Sequence, residues 1–169
     1  MPPTALERYN RAMAPAATRA SAALDNFGFA WVLLCLAFCL HVADEALTGF
    51  LNVYNPTVIA MRARFSWFPM PTFEYREWLV GLILVNLVLL ALTPFAYRNA
   101  RGLRPLAYFF AAVMLLNGMG HTIFTVLGQT VPSVRFPRPA PGFYSSPFLL
   151  ITSIYLFVRL RATRRSAFN

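Results

Sequence analysis

The chain has 169 residues, 58% of them hydrophobic and 12% charged, with a mean hydropathy of +0.54. That is too apolar for the surface of a water-soluble domain and predicts one small polytopic membrane protein. The net charge of +9 comes from fifteen basic residues, all Arg, against six acids, and because these Arg residues stand at the ends of apolar runs, membrane orientation accounts for them and nucleic-acid binding is not expected.

Residues 1–25 are Ala-rich, carry Arg8, Arg11 and Arg19, and contain Ala20-Ser21-Ala22 with no apolar run before it. They read as a retained cytoplasmic arm, not a cleaved signal. A first span is expected over about 27–52, with Cys35 and Cys39 as buried small apolar side chains. Asn55-Pro56 suits a cap followed by the first position of a new helix. Beyond it, Val58, Ile59, Met61, Phe65 and Phe68 mix with Arg62, Arg64 and Trp67, the composition of a short interfacial helix.

The second span is expected over about 78–95, with Asn86 hydrogen-bonding between helices and Pro94 near the end, where a helix tolerates the break. The third runs over about 105–127 and holds Asn117, Gly118, Gly120, His121 and Thr125. A Pro-rich loop with Arg135 and Arg138 follows, then a last span over about 146–160 and a cytoplasmic tail over 162–169. The expected fold is therefore all-α: a single bundle over residues 26–161, made of four transmembrane helices with the interfacial helix between spans one and two. Ten of the fifteen Arg flank the side that carries both termini, which predicts cytoplasmic termini and, with Arg used to the exclusion of Lys, a bacterial inner membrane.

Ionisable groups inside a span are costly enough to mark function. His41, Asp44 and Glu45 lie within the first apolar run, and at about 100° per residue they form one stripe with Thr48 and Asn52, expected to face a single neighbour. Asn117 and His121, four apart on the third span, lie at a similar depth. If the two helices touch, the only two His residues meet the only embedded acids.

The order His41-Val42-Ala43-Asp44-Glu45, Asn117-Gly118-Met119-Gly120-His121, Arg135-Phe136 and Pro141-Gly142 resembles the small bacterial integral-membrane proteins named for an HXXEE motif, over roughly residues 27–160. Asp44 replaces the first Glu of that motif. The resemblance implies no settled activity and points to His41, Asp44, Glu45, Asn117 and His121 as one site.

Two imidazoles and neighbouring carboxylates suit Zn²⁺ or a non-haem iron. His41, Glu45 and His121 are the expected ligands, Glu45 and Asp44 the expected catalytic acids, and Asn117, Arg135 and Arg138 the expected substrate contacts. The chemistry expected is metal-dependent hydrolysis of an ester, amide or phosphate in an amphipathic or lipid substrate. Three other readings compete: a hydrogen-bonded network without chemistry, a proton-coupled carrier using Glu45 and the His pair, and a pigment-protein subunit. The last rests on Ala37-Phe38-Cys39-Leu40-His41, which resembles the chlorophyll-ligating Ala-x-x-x-His segment of light-harvesting helices. Membrane lipids, and a larger membrane complex in the pigment reading, are the expected partners.

Overall fold

A computed structural model describes residues 27–165 of the chain. The N-terminal arm and residues 166–169 lie outside the described residues. Within them the protein is mostly helical, and three helices, Phe27–Thr48, Tyr75–Tyr97 and Arg101–Leu127, are long and apolar enough to cross a membrane.

Helix α1 (Phe27–Thr48) stops four residues before the expected boundary. Gly49 adopts φ +74°, and the Phe50 amide donates to the Glu45 carbonyl over 3.0 Å, the closing bond of a left-handed helix cap. A side chain at Gly49 would be strained there. Helix α2 (Leu51–Arg64) starts at once, so Pro56 lies inside it instead of opening it. Asn55 is not a cap: its side chain grips the Phe73 backbone at both ends, donating from Nδ2 over 2.9 Å and accepting at Oδ1 over 3.1 Å. This clamp ties α2 to the loop before α3 (Tyr75–Ala91), whose continuation is the short α4 (Thr93–Tyr97). The break between them falls beside Pro94, which cannot donate to the Leu90 carbonyl.

After a single 3₁₀ turn, Arg101–Leu103, comes α5 (Arg104–Leu127). The following segment is not a plain loop: Gln129–Val131 and Val134–Arg135 pair as an antiparallel hairpin, β1 and β2. The last helix, α6 (Ser146–Arg165), runs past the expected break near residue 161.

α6 packs along both α1 and α5, whereas α1 and α5 meet each other only over a short stretch. The approach of α5 to α6 depends on Gly118, because a Cβ there would come within 3.1–3.2 Å of Leu150 and the Ser146 carbonyl; close backbone contact at a small residue is how apolar helices gain packing without a hydrophobic driving force. At the other end of the core, Trp31 and Phe38 pack edge-to-face against Phe110, and the Trp31 indole donates to the Leu89 carbonyl over 3.0 Å. Asn86 donates to the Cys35 carbonyl over 3.3 Å, the expected link between helices. Cys35 is buried, but Cys39 is exposed, contrary to expectation, because the neighbouring α3 side chains leave it lining a cavity with Asn86 instead of covering it. α3 itself leaves Val80, Ile83, Leu84 and Leu87 exposed, an apolar face unlike that of a soluble protein.

Candidate metal centre

The i, i+4 spacing on α1 brings His41 and Glu45 together, and α5 supplies His121 from across the bundle. Glu45 Oε1 lies 3.4 Å from His41 Nε2 and 3.1 Å from His121 Nε2. The candidate ligand atoms of all three residues lie within 4.8 Å of one another, and all three side chains are buried. Ligands about 2.0–2.1 Å from a tetrahedral ion stand about 3.3–3.4 Å apart, so the 3.4 Å separation matches that geometry and the 3.1 Å separation falls slightly short of it.

The hydrogen bonds around His41 fix which of its nitrogens is free. Ser145 Oγ lies 2.8 Å from Asp44 Oδ2, and a carboxylate is the strongest acceptor in reach, so the hydroxyl proton goes there. Ser145 Oγ must then accept from His41 Nδ1, 2.7 Å away. In the uncharged form of the ring, a proton on Nδ1 would leave a lone pair at Nε2, which the Asn117 amide nitrogen approaches to 3.1 Å. That lone pair also faces a carboxylate oxygen, so the two acceptors stand 3.4 Å apart in a buried site. A cation held by these residues would remove that repulsion, and two imidazoles with one carboxylate are a ligand set used by catalytic zinc sites.

Asp44 therefore acts on Ser145, accepting from its backbone amide as well as its hydroxyl, both over 2.8 Å. The acid grips the serine and not the imidazole, the wrong order for a Ser-His-Asp nucleophile system, in which the acid orients the histidine. The α1 stripe thus divides. His41 and Glu45 meet α5; Asp44 and Thr48 face the segment before α6; Asn52 sits on α2, exposed.

That segment lies directly against the cluster. Gly142, at φ +81°, donates to Thr48 Oγ1 over 3.1 Å, and a Cβ on it would stand 2.8 Å from His121 Cε1 and 3.0 Å from Glu45 Cγ. Only glycine fits in both conformation and space. The Ser146 hydroxyl donates to the Gly142 carbonyl over 2.8 Å, and the Ala140 amide donates to Thr125 Oγ1 over 3.0 Å, so with the Gly142–Thr48 bond the Pro141-Gly142 turn is tied to α1, α5 and α6.

Of the expected substrate contacts, Asn117 stands at the cluster, whereas Arg135 and Arg138 are exposed, the first on the hairpin and the second in the bend that follows it. The Arg138 guanidinium lies over Gly128, Nε falling 3.1 Å from where a Cβ would stand. That contact directs it along the hairpin. Ser145 and Thr48 are functional groups whose part was not assigned from sequence. Ser145-Ser146-Pro147 is a legible helix start, but nothing in the sequence indicates that its first serine would meet His41.

Compared against protein-family models, curated proteins and solved structures, the chain matches none.

Proposed function

We propose that the protein is a four-helix integral-membrane metalloenzyme, with α1, α3–α4, α5 and α6 spanning a bacterial inner membrane, and that His41, Glu45 and His121 hold a divalent Zn or Fe ion. The observation that carries this reading is the convergence of three buried side chains, with His41 Nε2 and His121 Nε2 at 3.4 and 3.1 Å from Glu45 Oε1 and the candidate ligand atoms of all three within 4.8 Å of one another. The ion would supply Lewis-acid activation of a water or of a carbonyl or phosphoryl oxygen.

The chain's own residues supply the rest. Glu45 turns Oε1 to both imidazoles, which leaves Oε2 to take a proton from an attacking water and return it to the departing oxygen or nitrogen of an ester or amide. In that hydrolysis the water oxygen bonds to the acyl carbon, the acyl–oxygen or acyl–nitrogen bond breaks, and acid and alcohol or amine leave. With His41 Nε2 holding a cation, the Asn117 amide would be left to donate to a substrate carbonyl. Asp44 and Ser145 position His41 without touching substrate, so Ser145→Ala is expected to weaken metal affinity by about 10–100-fold, the usual loss when an outer hydrogen bond to a ligand is removed. Competition with a chelating dye measures this, and unchanged affinity would reduce Ser145 to a support for α6.

Metal analysis of the detergent-purified protein tests the proposal directly. Near-stoichiometric Zn or Fe that disappears in His41→Ala supports it; stoichiometric metal retained in that variant overturns the ligand assignment. A second reading, a hydrogen-bonded network without chemistry, draws on the continuous chain Asp44–Ser145–His41–Asn117 and predicts no bound metal at all. The carrier and pigment readings have less support, since His41 is fully buried.

The Arg distribution orients the bundle with both termini cytoplasmic and the hairpin outside. A cysteine placed at exposed Ser133, in a background lacking Cys35 and Cys39, should react with an impermeant maleimide in intact cells. Reaction only after permeabilisation would invert the topology.

A further inference from the structure

Two apolar grooves converge on the cluster from different sides. One, of about 400 Å³, runs between α2, α5 and the hairpin and reaches His121; its lining includes Val53, Leu116, Phe124 and Phe136. The other, also about 400 Å³, runs between α1, α3 and α5 and reaches Glu45; its lining includes Trp78, Leu82, Phe109 and Val113. Phe50 and Asn117 line both. Phe50 stacks on Trp78 at 5.8 Å and touches the His121 ring at 5.9 Å, so it stands at the junction.

Polar groups are distributed unevenly along this path. In the first groove the outer polar groups, Thr57 and Thr130, are hydrogen-bonded to each other, and Thr57 also donates to the Val53 carbonyl. In the second, Glu45 and Asn117 at the inner end are the polar groups that face the cluster. The polar side chains of the cluster, Glu45, Asn117 and His121, therefore lie where the grooves meet, with hydrocarbon-like walls leading away on both sides. Each volume falls in the range that encloses most of a small ligand.

We infer that the substrate is a neutral lipid whose ester or amide lies between two hydrocarbon arms, one arm in each groove, and not a single-chain lipid with a terminal reactive group. This inference rests on the proposed site for the position of the reacting linkage, but the arms are held by the grooves alone, so it can be tested on metal-free protein. The probes are a radiolabelled long-chain alkyl ester of a long-chain fatty acid and the methyl ester of the same acid, bound to the full chain in detergent micelles.

The two-armed ester should bind at least tenfold more tightly than the methyl ester. Gly120→Phe fills the first groove, where a Cβ meets only Phe124 at 3.8 Å; Val113→Trp fills the second. Each should weaken the two-armed ester about tenfold yet leave the methyl ester within about twofold, because the single chain can use the other groove. Blocking both should abolish binding of both. Should Gly120→Phe lower thermal stability, Leu116→Trp blocks the same groove from a side chain that is already 67% exposed. Equal affinity for the two esters, or a two-armed ester sensitive to only one block, would overturn the inference. Failure of the metal proposal would show separately, as absent metal in a protein that still discriminates the esters.

Discussion

Replacing Glu45 with Gln should strip the protein of metal. Oε1 contacts both His41 and His121, and the substitution removes the carboxylate charge that would balance a cation there, leaving only a neutral amide at the contact between the two helices. Loss of an outer-shell hydrogen bond already costs about 10–100-fold in affinity, and loss of the charged ligand should exceed about 100-fold, leaving less than about a tenth of a metal ion per purified chain. His121→Ala should behave alike. Asp44→Asn should be much milder, because an amide oxygen can still accept from the Ser145 amide and hydroxyl, and its effect should not exceed that of Ser145→Ala. Elemental analysis of the variants purified in parallel decides the order. If Asp44→Asn lost metal and Glu45→Gln kept it, the ion would have to sit on the α6 side of α1.

The second large effect is expected at Gly142. An alanine there must hold a left-handed backbone at φ +81° and place its methyl 2.8 Å from His121 Cε1. Backbone strain of this kind costs about 1–3 kcal/mol and overpacking a comparable amount, together on the order of 3 kcal/mol. For a chain of this size that corresponds to roughly 6–12 °C in melting temperature. Metal content should fall in parallel, because relieving the clash means moving either His121 or the turn that holds Ser145. Gly120→Ala is the control, being helical with its nearest neighbour at 3.8 Å, and exchanging helical Gly for Ala is stabilising by about 0.5–1 kcal/mol. Equal melting temperatures for the two variants would show that Gly142 does not press on the cluster.

Much of this was legible in the sequence because it depends on local properties. Four spans were expected from composition, and three of them, Phe27–Thr48, Tyr75–Tyr97 and Arg101–Leu127, are helices long and apolar enough to cross a bilayer among the described residues. The spacing of His41 and Glu45 puts them on one face whatever surrounds them, and the cost of burying such groups marks them, with His121, as a candidate site. Helix ends were less legible, because backbone conformation decides them: Gly49 closes α1 ahead of Asn55-Pro56, a pair that looks like a helix start and lies inside α2.

The i, i+4 spacing from His41 already set Glu45 apart from Asp44 as the expected ligand, but only the tertiary structure gave Asp44 its partner: packing turns Glu45 toward α5 and gives Asp44 to Ser145. No local rule links residues 104 positions apart, and the contact of Ser145 with His41 exists because Gly118 lets α6 lie close to α5 while Gly142 lets the preceding turn settle on the cluster. The same packing left Arg138 against Gly128 and opened two grooves toward Phe50 and Asn117. A sequence carries the period of each helix, but the angle at which helices meet is set by the side chains between them, and that angle determined which polar atoms share the site.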